Sequence, residues 1–365
     1  MKTETIDAYA RLLSEYCLQL KKGDKVFVQS SFLAEPLLRA FYKEAIRVGA
    51  VVEFHLSFDQ MDEIFYEYAD EDQLKFISPG FVHAMSHFDA YLHIRAPYSL
   101  HNEKMDAEKW RIRSEAQKPV LQHYFERIGN GTMRRCLCQY PTLANAEMAG
   151  MSLEEYGDFI ATACKLHTDN PIKAWENVRD TQQKYVDYLD KVSEMRYVSD
   201  KMDVSFQVAG RKWINSDGRN NMPSGEVFSA PIEDSVQGTA YFDFPASYMG
   251  KKISGITVFV ENGLVTSWLA EEGGDVLDDI FTIEGARRFG EVAIGTNYEI
   301  NRPTGNILFD EKIGGTVHMA LGQSYHQCGG KNESAIHLDL IANMKNGGKI
   351  YADGALIYEN GQFLI

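Results

Sequence analysis

The stretch Ile253-Ser254-Gly255-Ile256-Thr257-Val258-Phe259-Val260-Glu261-Asn262-Gly263-Leu264-Val265-Thr266-Ser267-Trp268-Leu269 reads as two strands folded back on each other. Asn262-Gly263 lies between two β-branched and aromatic runs, and both residues tolerate the positive φ of a two-residue hairpin turn. The arms are expected at residues 253–260 and 264–269. The end of the chain repeats the device: residues 355–358 and 362–365 flank Asn360-Gly361, after a turn at Asp353-Gly354. The second half is therefore antiparallel and rich in β-structure.

Upstream the texture changes. Residues 6–20 place Ile6, Tyr9, Leu12, Leu13, Tyr16 and Leu20 at helical spacing, with a stop at Gly23-Asp24. Val26-Phe27-Val28 is a short buried strand. Residues 33–48 are helical again and end at Gly49, and 51–56 form the next strand. Residues 90–95 and 134–139 look like two more. Strands alternating with helices of this length imply a parallel sheet. A charged helical connector runs from residue 152 to about 195. The expected fold is an α/β N-terminal domain with a largely parallel sheet over 1–190, connector included. A mixed α+β, β-rich metal-binding catalytic domain follows over 191–365.

A chain of 365 residues accommodates about two domains and buries a core without disulfide staples. Its five cysteines are an odd, scattered set, which suits free thiols in a reducing compartment. Asp7 and Arg11 interrupt any signal-peptide pattern, and no apolar run approaches the ~18 residues of a membrane span. A soluble, cytoplasmic protein without a membrane partner is expected. The formal net charge of −15, from 37 basic and 52 acidic residues, repels nucleic-acid phosphates, so nucleic acid is not an expected partner.

Six metal-competent groups stand on unusual apolar or glycine-rich stretches: Glu226, Glu291, His318, Tyr325, His337 and Asp339. Ionised groups are rarely placed so unless something compensates their desolvation. His337 and Asp339 are two apart, a spacing that shares one face on a strand and not on a helix. Val317, Met319 and Leu321 alternate with Thr316, His318 and Ala320, so His318 aims away from the apolar side. Two glutamates, two histidines and one aspartate form a nitrogen and oxygen set suited to Zn²⁺, Co²⁺ or Mn²⁺. The carboxylate excess suits two divalent metal ions, because one carboxylate can bridge cations roughly 3.5–4 Å apart. Such a pair acidifies a bound water and polarises a carbonyl, and Tyr325 could coordinate or stabilise the tetrahedral oxyanion.

Each residue also has an ordinary reading, as a core histidine, a turn cap, a solvated glutamate or a structural tyrosine; the conjunction carries the argument. Other groups carry less. His83 and His87 lack an acidic partner, Cys136 and Cys138 lack a second pair, and Gly129-Asn130-Gly131 is too short for a phosphate loop. Cys328 near His326 is hemmed by glycines.

Four motifs, in order and spacing, carry a family resemblance. They are Asn221-Met222-Pro223-Ser224-Gly225-Glu226-Val227-Phe228, Gly290-Glu291-Val292-Ala293, Asp310-Glu311-Lys312-Ile313-Gly314-Gly315-Thr316-Val317-His318, and Ser334-Ala335-Ile336-His337-Leu338-Asp339. With Gly23-Asp24-Lys25-Val26 and Met151-Ser152-Leu153-Glu154-Glu155-Tyr156 upstream, the chain resembles the aminopeptidase T/aminopeptidase S family of thermophilic-type metallo-aminopeptidases. The resemblance implies a homodimeric, leucyl-type aminopeptidase acting on peptide substrates with a free N-terminus. It implies Glu226, Glu291, His318, His337 and Asp339 as ligands of a two-metal centre. Tyr325 would be a ligand or an adjacent catalytic group, with Glu226 and Glu291 also catalytic. Two other readings compete: a mononuclear Fe(II) ring-cleaving dioxygenase using His318, His337 and Asp339, and a non-enzymatic α/β binding protein.

Overall fold

Strands Val51–Ser57, Lys25–Ser31, Ala90–Arg95, Arg134–Gln139 and Asn221–Met222 lie side by side in that order, every pairing parallel. They form the sheet of the first of two units in a computed structural model that describes residues 1–100 and 106–365. That unit comprises Met1–Ile172 and Gly218–Met222; the second comprises Lys173–Asp217 and Pro223–Ile365. The α/β character of the first half and the antiparallel, β-rich character of the second are both as expected from sequence.

The first sheet is crossed over by helices of the lengths that its hydrophobic periods called for. Glu35–Val48 links the first two strands and ends at Gly49, whose φ of +85° is the left-handed cap that terminates a helix at little steric cost. The N-terminal helix differs in detail: Thr3–Arg11 is α-helical and Leu12–Cys17 continues as a π-helix. Cys17, Cys136, Cys138 and Cys164 are all buried in this unit, and the fifth, Cys328, is likewise a buried free thiol. Burial raises the thiols of Cys17, Cys138 and Cys164 above their ordinary value, so they act as small apolar side chains.

In the second unit two antiparallel sheets enclose one apolar core. The larger runs Leu264–Leu269, Ile256–Glu261, Gln237–Phe242, Asp203–Gln207, Glu194–Val198, Lys349–Ala352, Ala355–Glu359 and Gln362–Phe363. The smaller runs His337–Asn343, Thr316–Gly322, Phe289–Gly295, Glu226–Ser229 and Ile214–Ser216. Tyr197, Phe206, Val258 and Ile350 of the first meet Val292, Met319, Leu321 and Leu340 of the second in that core. The Asn262-Gly263 turn forms as read, with φ values of 50° and 75°. A Cβ on Gly263 would collide with the Glu233 carbonyl, so the turn needs glycine for space as well as for φ. No helix among the described residues is long and apolar enough to cross a membrane.

His93, on Ala90–Arg95, is pushed down to about 4 by burial and then by the charges of Arg95 and Arg135. In the folded state it resists protonation, whereas the unfolded chain takes up the proton near 6.5. Stability from neutral His93 is thus fully present above pH 6.5 and is lost as pH falls toward 4. Replacing His93 with Gln should spare the protein on the order of 2 kcal/mol of the stability it loses between pH 7 and pH 5. Urea melts at the two pH values measure this; an equal loss in both proteins would remove His93 from the account.

Candidate metal centre

The smaller sheet of the second unit has two unlike faces. Val227, Val292, Ile294, Val317, Met319, Leu321, Leu338 and Leu340 point into the core. Their neighbours in sequence point the other way, because side chains alternate along a strand. Cross-strand register then assembles the opposite face: Glu291 pairs with Ala320, Ala320 with Asp339, Ala293 with His318, Gly322 with His337 and Gly295 with Glu226. Small residues sit opposite the large polar ones, which leaves room for ligand atoms to converge.

Glu291 reaches this face through a bulge. Phe289 pairs with Leu321 and Glu291 with Ala320, so Gly290 is an extra residue in its strand. In a regular strand Phe289 and Glu291 would share a face; here Phe289 is in the core and Glu291 is not. A Cβ on Gly290 would collide with the carbonyls of Gly322 and Gln323. At Gly225, beside Glu226, a side chain would sit 2.7 Å from the Cβ of Asn297, at a φ of +116°.

The distances define one cluster. His318 Nε2 lies 3.5 Å from Glu226 Oε2 and 3.6 Å from Glu291 Oε1. His337 Nε2 lies 3.0 Å from Glu291 Oε2 and 3.4 Å from Asp339 Oδ1. Glu291 therefore offers one oxygen toward each imidazole. His337 Nδ1 is 2.8 Å from the Gln323 carbonyl, which fixes a proton on Nδ1 and leaves Nε2 as the nitrogen that could give up its proton to a cation. Glu291, His337 and Asp339 each bring a ligand atom within 4.8 Å of the others, and so do Glu311, His318 and Asp339. Tyr325 stands at the rim, its ring 5.2 Å from that of His337 and 5.3 Å from that of Phe228.

Glu311 and Lys312 belong to this cluster although neither stood out as a site residue in the sequence. Lys312 has a side chain 1% exposed, with Nζ 2.7 Å from Glu226 Oε1 and paired also with Glu311 Oε1. The signal was present: an acidic-basic doublet leading straight into Ile313-Gly314-Gly315 and the His318 strand. It reads as solvated turn charge until the Lys312 backbone, accepting from Asn297 N at 3.0 Å, is seen to pin it inside.

The electrostatics show a surplus of buried negative charge. Burial opposes ionisation of Glu291 and Asp339, yet hydrogen bonds and charge from His318 and His337 hold both below their ordinary values. Burial would lower the two histidines, and the carboxylates reverse this, raising His318 to about 9 and His337 to about 11. Glu311 is pushed up to about 8 by burial, against the pull of Lys312. Desolvation, then the charges of Glu291 and Asp339, raise the Tyr325 phenol well above its ordinary value, although 40% of the residue is exposed. The face is one that recruits positive charge. Glu226 Oε2 and Asp339 Oδ1 are buried without a well-formed hydrogen bond, each facing an imidazole nitrogen at 3.5 and 3.4 Å, and His318 Nδ1 is buried without a hydrogen-bond partner. Oxygen and imidazole donors of this kind, two of them unsatisfied carboxylate oxygens, fit a hard or borderline divalent cation.

The family profile for thermophilic metalloproteases (M29) matches residues 2–363. The chain belongs to that family. It is 27% identical over 380 residues to aminopeptidase 2 of Geobacillus stearothermophilus, covering 92% of this chain and 91% of that protein. It is 26% identical over 405 residues to aminopeptidase AmpS of Bacillus subtilis, covering 99% and 98%. Its fold is that of wild-type AmpT from Thermus thermophilus, with a TM-score of 0.85, 24% identity and 99% coverage of both chains. Membership of a metalloprotease family makes the protein a metal-dependent hydrolase and sets aside the oxygenase and binding-protein readings.

The M29 chain gives a direct test of the bulge. Gly290→Ala should destabilise the protein by about 2 kcal/mol or more, from the collision with Gly322 and Gln323. By re-aiming Glu291 it should also lower activity by ~100-fold. Urea melts and steady-state rates measure both; a variant as stable and active as the parent would refute this placement of Glu291.

Proposed function

We propose that the protein is a metal-dependent aminopeptidase that releases N-terminal residues, leucyl-type ones among them, from peptides with a free N-terminus. The observation that carries this reading is a pair of ligand triads, Glu291–His337–Asp339 and Glu311–His318–Asp339, that share Asp339. A shared carboxylate suits two neighbouring divalent ions, which one such group can bridge. The relatives named above are aminopeptidases, which fixes the bond class in this proposal.

Two ions of Zn²⁺, Co²⁺ or Mn²⁺ would be held by Glu226, Glu291, His318, His337 and Asp339, with Glu311 added. When bound, they supply Lewis acidity that polarises a scissile carbonyl and acidifies water. Glu291, with an oxygen toward each imidazole, is placed to serve both sides of the centre. Glu226 presents Oε2, the oxygen that Lys312 leaves free. The buried carboxylates also offset the positive charge of a substrate α-amine. The Tyr325 hydroxyl, kept protonated by desolvation and by the carboxylates around it, is poised to donate to the oxygen that gains charge in the tetrahedral transition state. Glu226 and Glu291 standing beside His318, His337 and Asp339 argue against a lone two-histidine, one-carboxylate iron site. A cytoplasmic homodimer without nucleic-acid or membrane partners completes the proposal.

Elemental analysis of the purified protein should find about two divalent ions per chain. Stripping them should lower the melting temperature, and returning them should restore it, since a ligand at ~100 times its Kd stabilises by about 2.7 kcal/mol. Hydrolysis of leucyl-nitroanilide should vanish in Glu291→Gln while the protein still folds. One iron per chain with oxygen uptake, or a Glu291→Gln variant that keeps its rate, would sink the proposal.

A further inference from the structure

Lysine is almost never fully buried unless paired, because its ammonium gives up hydration that only anions can replace. Lys312 has carboxyl groups on two sides, Glu226 Oε1 at 2.7 Å and Glu311 Oε1. Its backbone is fastened at both polar atoms, the N–H donating to Phe309 O at 3.0 Å and the carbonyl accepting from Asn297 N at 3.0 Å. Asn297 in turn donates its side-chain N–H to the Ser224 carbonyl at 2.9 Å, two residues before Glu226. Gly295 lacks a side chain where the Ile313 carbonyl presses against the strand. The ammonium and the Glu226 carboxylate are therefore delivered to each other by one connected piece of backbone.

The consequence falls on how many oxygens each glutamate can give. Glu226 Oε1 is committed to Lys312, whereas Oε2 has no hydrogen-bond partner and lies 3.5 Å from His318 Nε2. A carboxylate left alone can chelate a cation through both oxygens, and one with an ammonium on one oxygen favours binding through the other. The geometry points to Lys312 as a positioning residue that restricts Glu226 and Glu311 to a single oxygen each toward the metal centre. This rests on the reading of the cluster as a divalent-cation site.

The residue type fits the task. A guanidinium favours both oxygens of one carboxylate at once, while an ammonium is a point charge with three donors that can take one oxygen from each of two partners. Lys312 also supplies one fixed positive charge beside four carboxylates, Glu226, Glu291, Glu311 and Asp339. It thereby keeps a bound cation less neutralised and lower in coordination, the condition of a strong Lewis acid.

Cobalt(II) alone is the probe, added to the metal-free parent chain, Lys312→Met and Lys312→Gln. The parent should show the intense visible absorption of low-coordinate cobalt. In Lys312→Met the freed oxygen should enter coordination, cutting the absorption per cobalt by about half or more. Removal of a nearby positive charge should tighten cobalt binding by about tenfold. The value of kcat should fall by ~10–100-fold with little change in KM. Should Lys312→Met not fold, Lys312→Gln, which keeps a donor and loses the charge, should still bind cobalt more tightly than the parent. Parent-like absorption and affinity in the variants, or weaker cobalt binding in both, would overturn the role of Lys312. A parent chain that takes up no cobalt would instead overturn the metal-centre reading on which it rests.

Discussion

Negative charge taken out of water on one face of a sheet is the constraint around which the second unit is organised. Glu226 and Glu291 are each 4% exposed, and Asp339 and Glu311 are little more accessible. Carboxylates so placed must find cations or neutralise. Among the described residues, the cluster holds one permanent cation, Lys312, and two imidazoles that the carboxylates pull toward protonation. That is too little positive charge for four carboxylates unless the histidines give up their role as neutral donors. Divalent ions would resolve the conflict, because they would replace those protons and leave both imidazoles neutral.

The sheet can carry this load because its two faces are separated by register. A one-residue slip would turn Val317 and Met319 outward and His318 into the core, so the apolar face fixes the polar one. The exception is the strand holding Glu291, where the bulge at Gly290 lets Phe289 fill the core and Glu291 join the polar side. Glycines at 225, 290, 295 and 322 recur around the cluster where neighbouring backbone or side chains leave no space for a Cβ. The site is a feature of rigid strands and close backbone approaches. Tyr325, which precedes the short helical turn His326–Cys328, and the Glu311-Lys312 pair, between helix Ile307–Asp310 and strand Thr316–Gly322, sit on connecting segments.

Much of the fold was legible because its signals are local. The strands Ala90–Arg95 and Arg134–Gln139 fall where the apolar runs place them, and Asn262-Gly263 turns the hairpin its φ preference demands. What stayed hidden depends on distant residues. Asn221–Met222 joins the first sheet across more than eighty positions of sequence, beside Leu137 and Cys138, and two residues carry no pattern of their own. The π-helical turn at Leu12–Cys17 has the same apolar spacing as an ordinary helix. In the candidate site, the alternation around His318, His337 and Asp339 revealed a shared face. Glu311 and Lys312 escaped because a Glu-Lys pair before glycines is ordinary surface charge, and only the tertiary fold buries it.

The central claim, that this face holds two divalent ions, is tested most directly by anomalous diffraction from crystals of the cobalt- or zinc-loaded protein. The account expects two peaks roughly 3.5–4 Å apart, each beside one imidazole, His318 or His337, with Glu291 or Asp339 between them. A single peak, or peaks away from Glu226, Glu291 and Asp339, would contradict it.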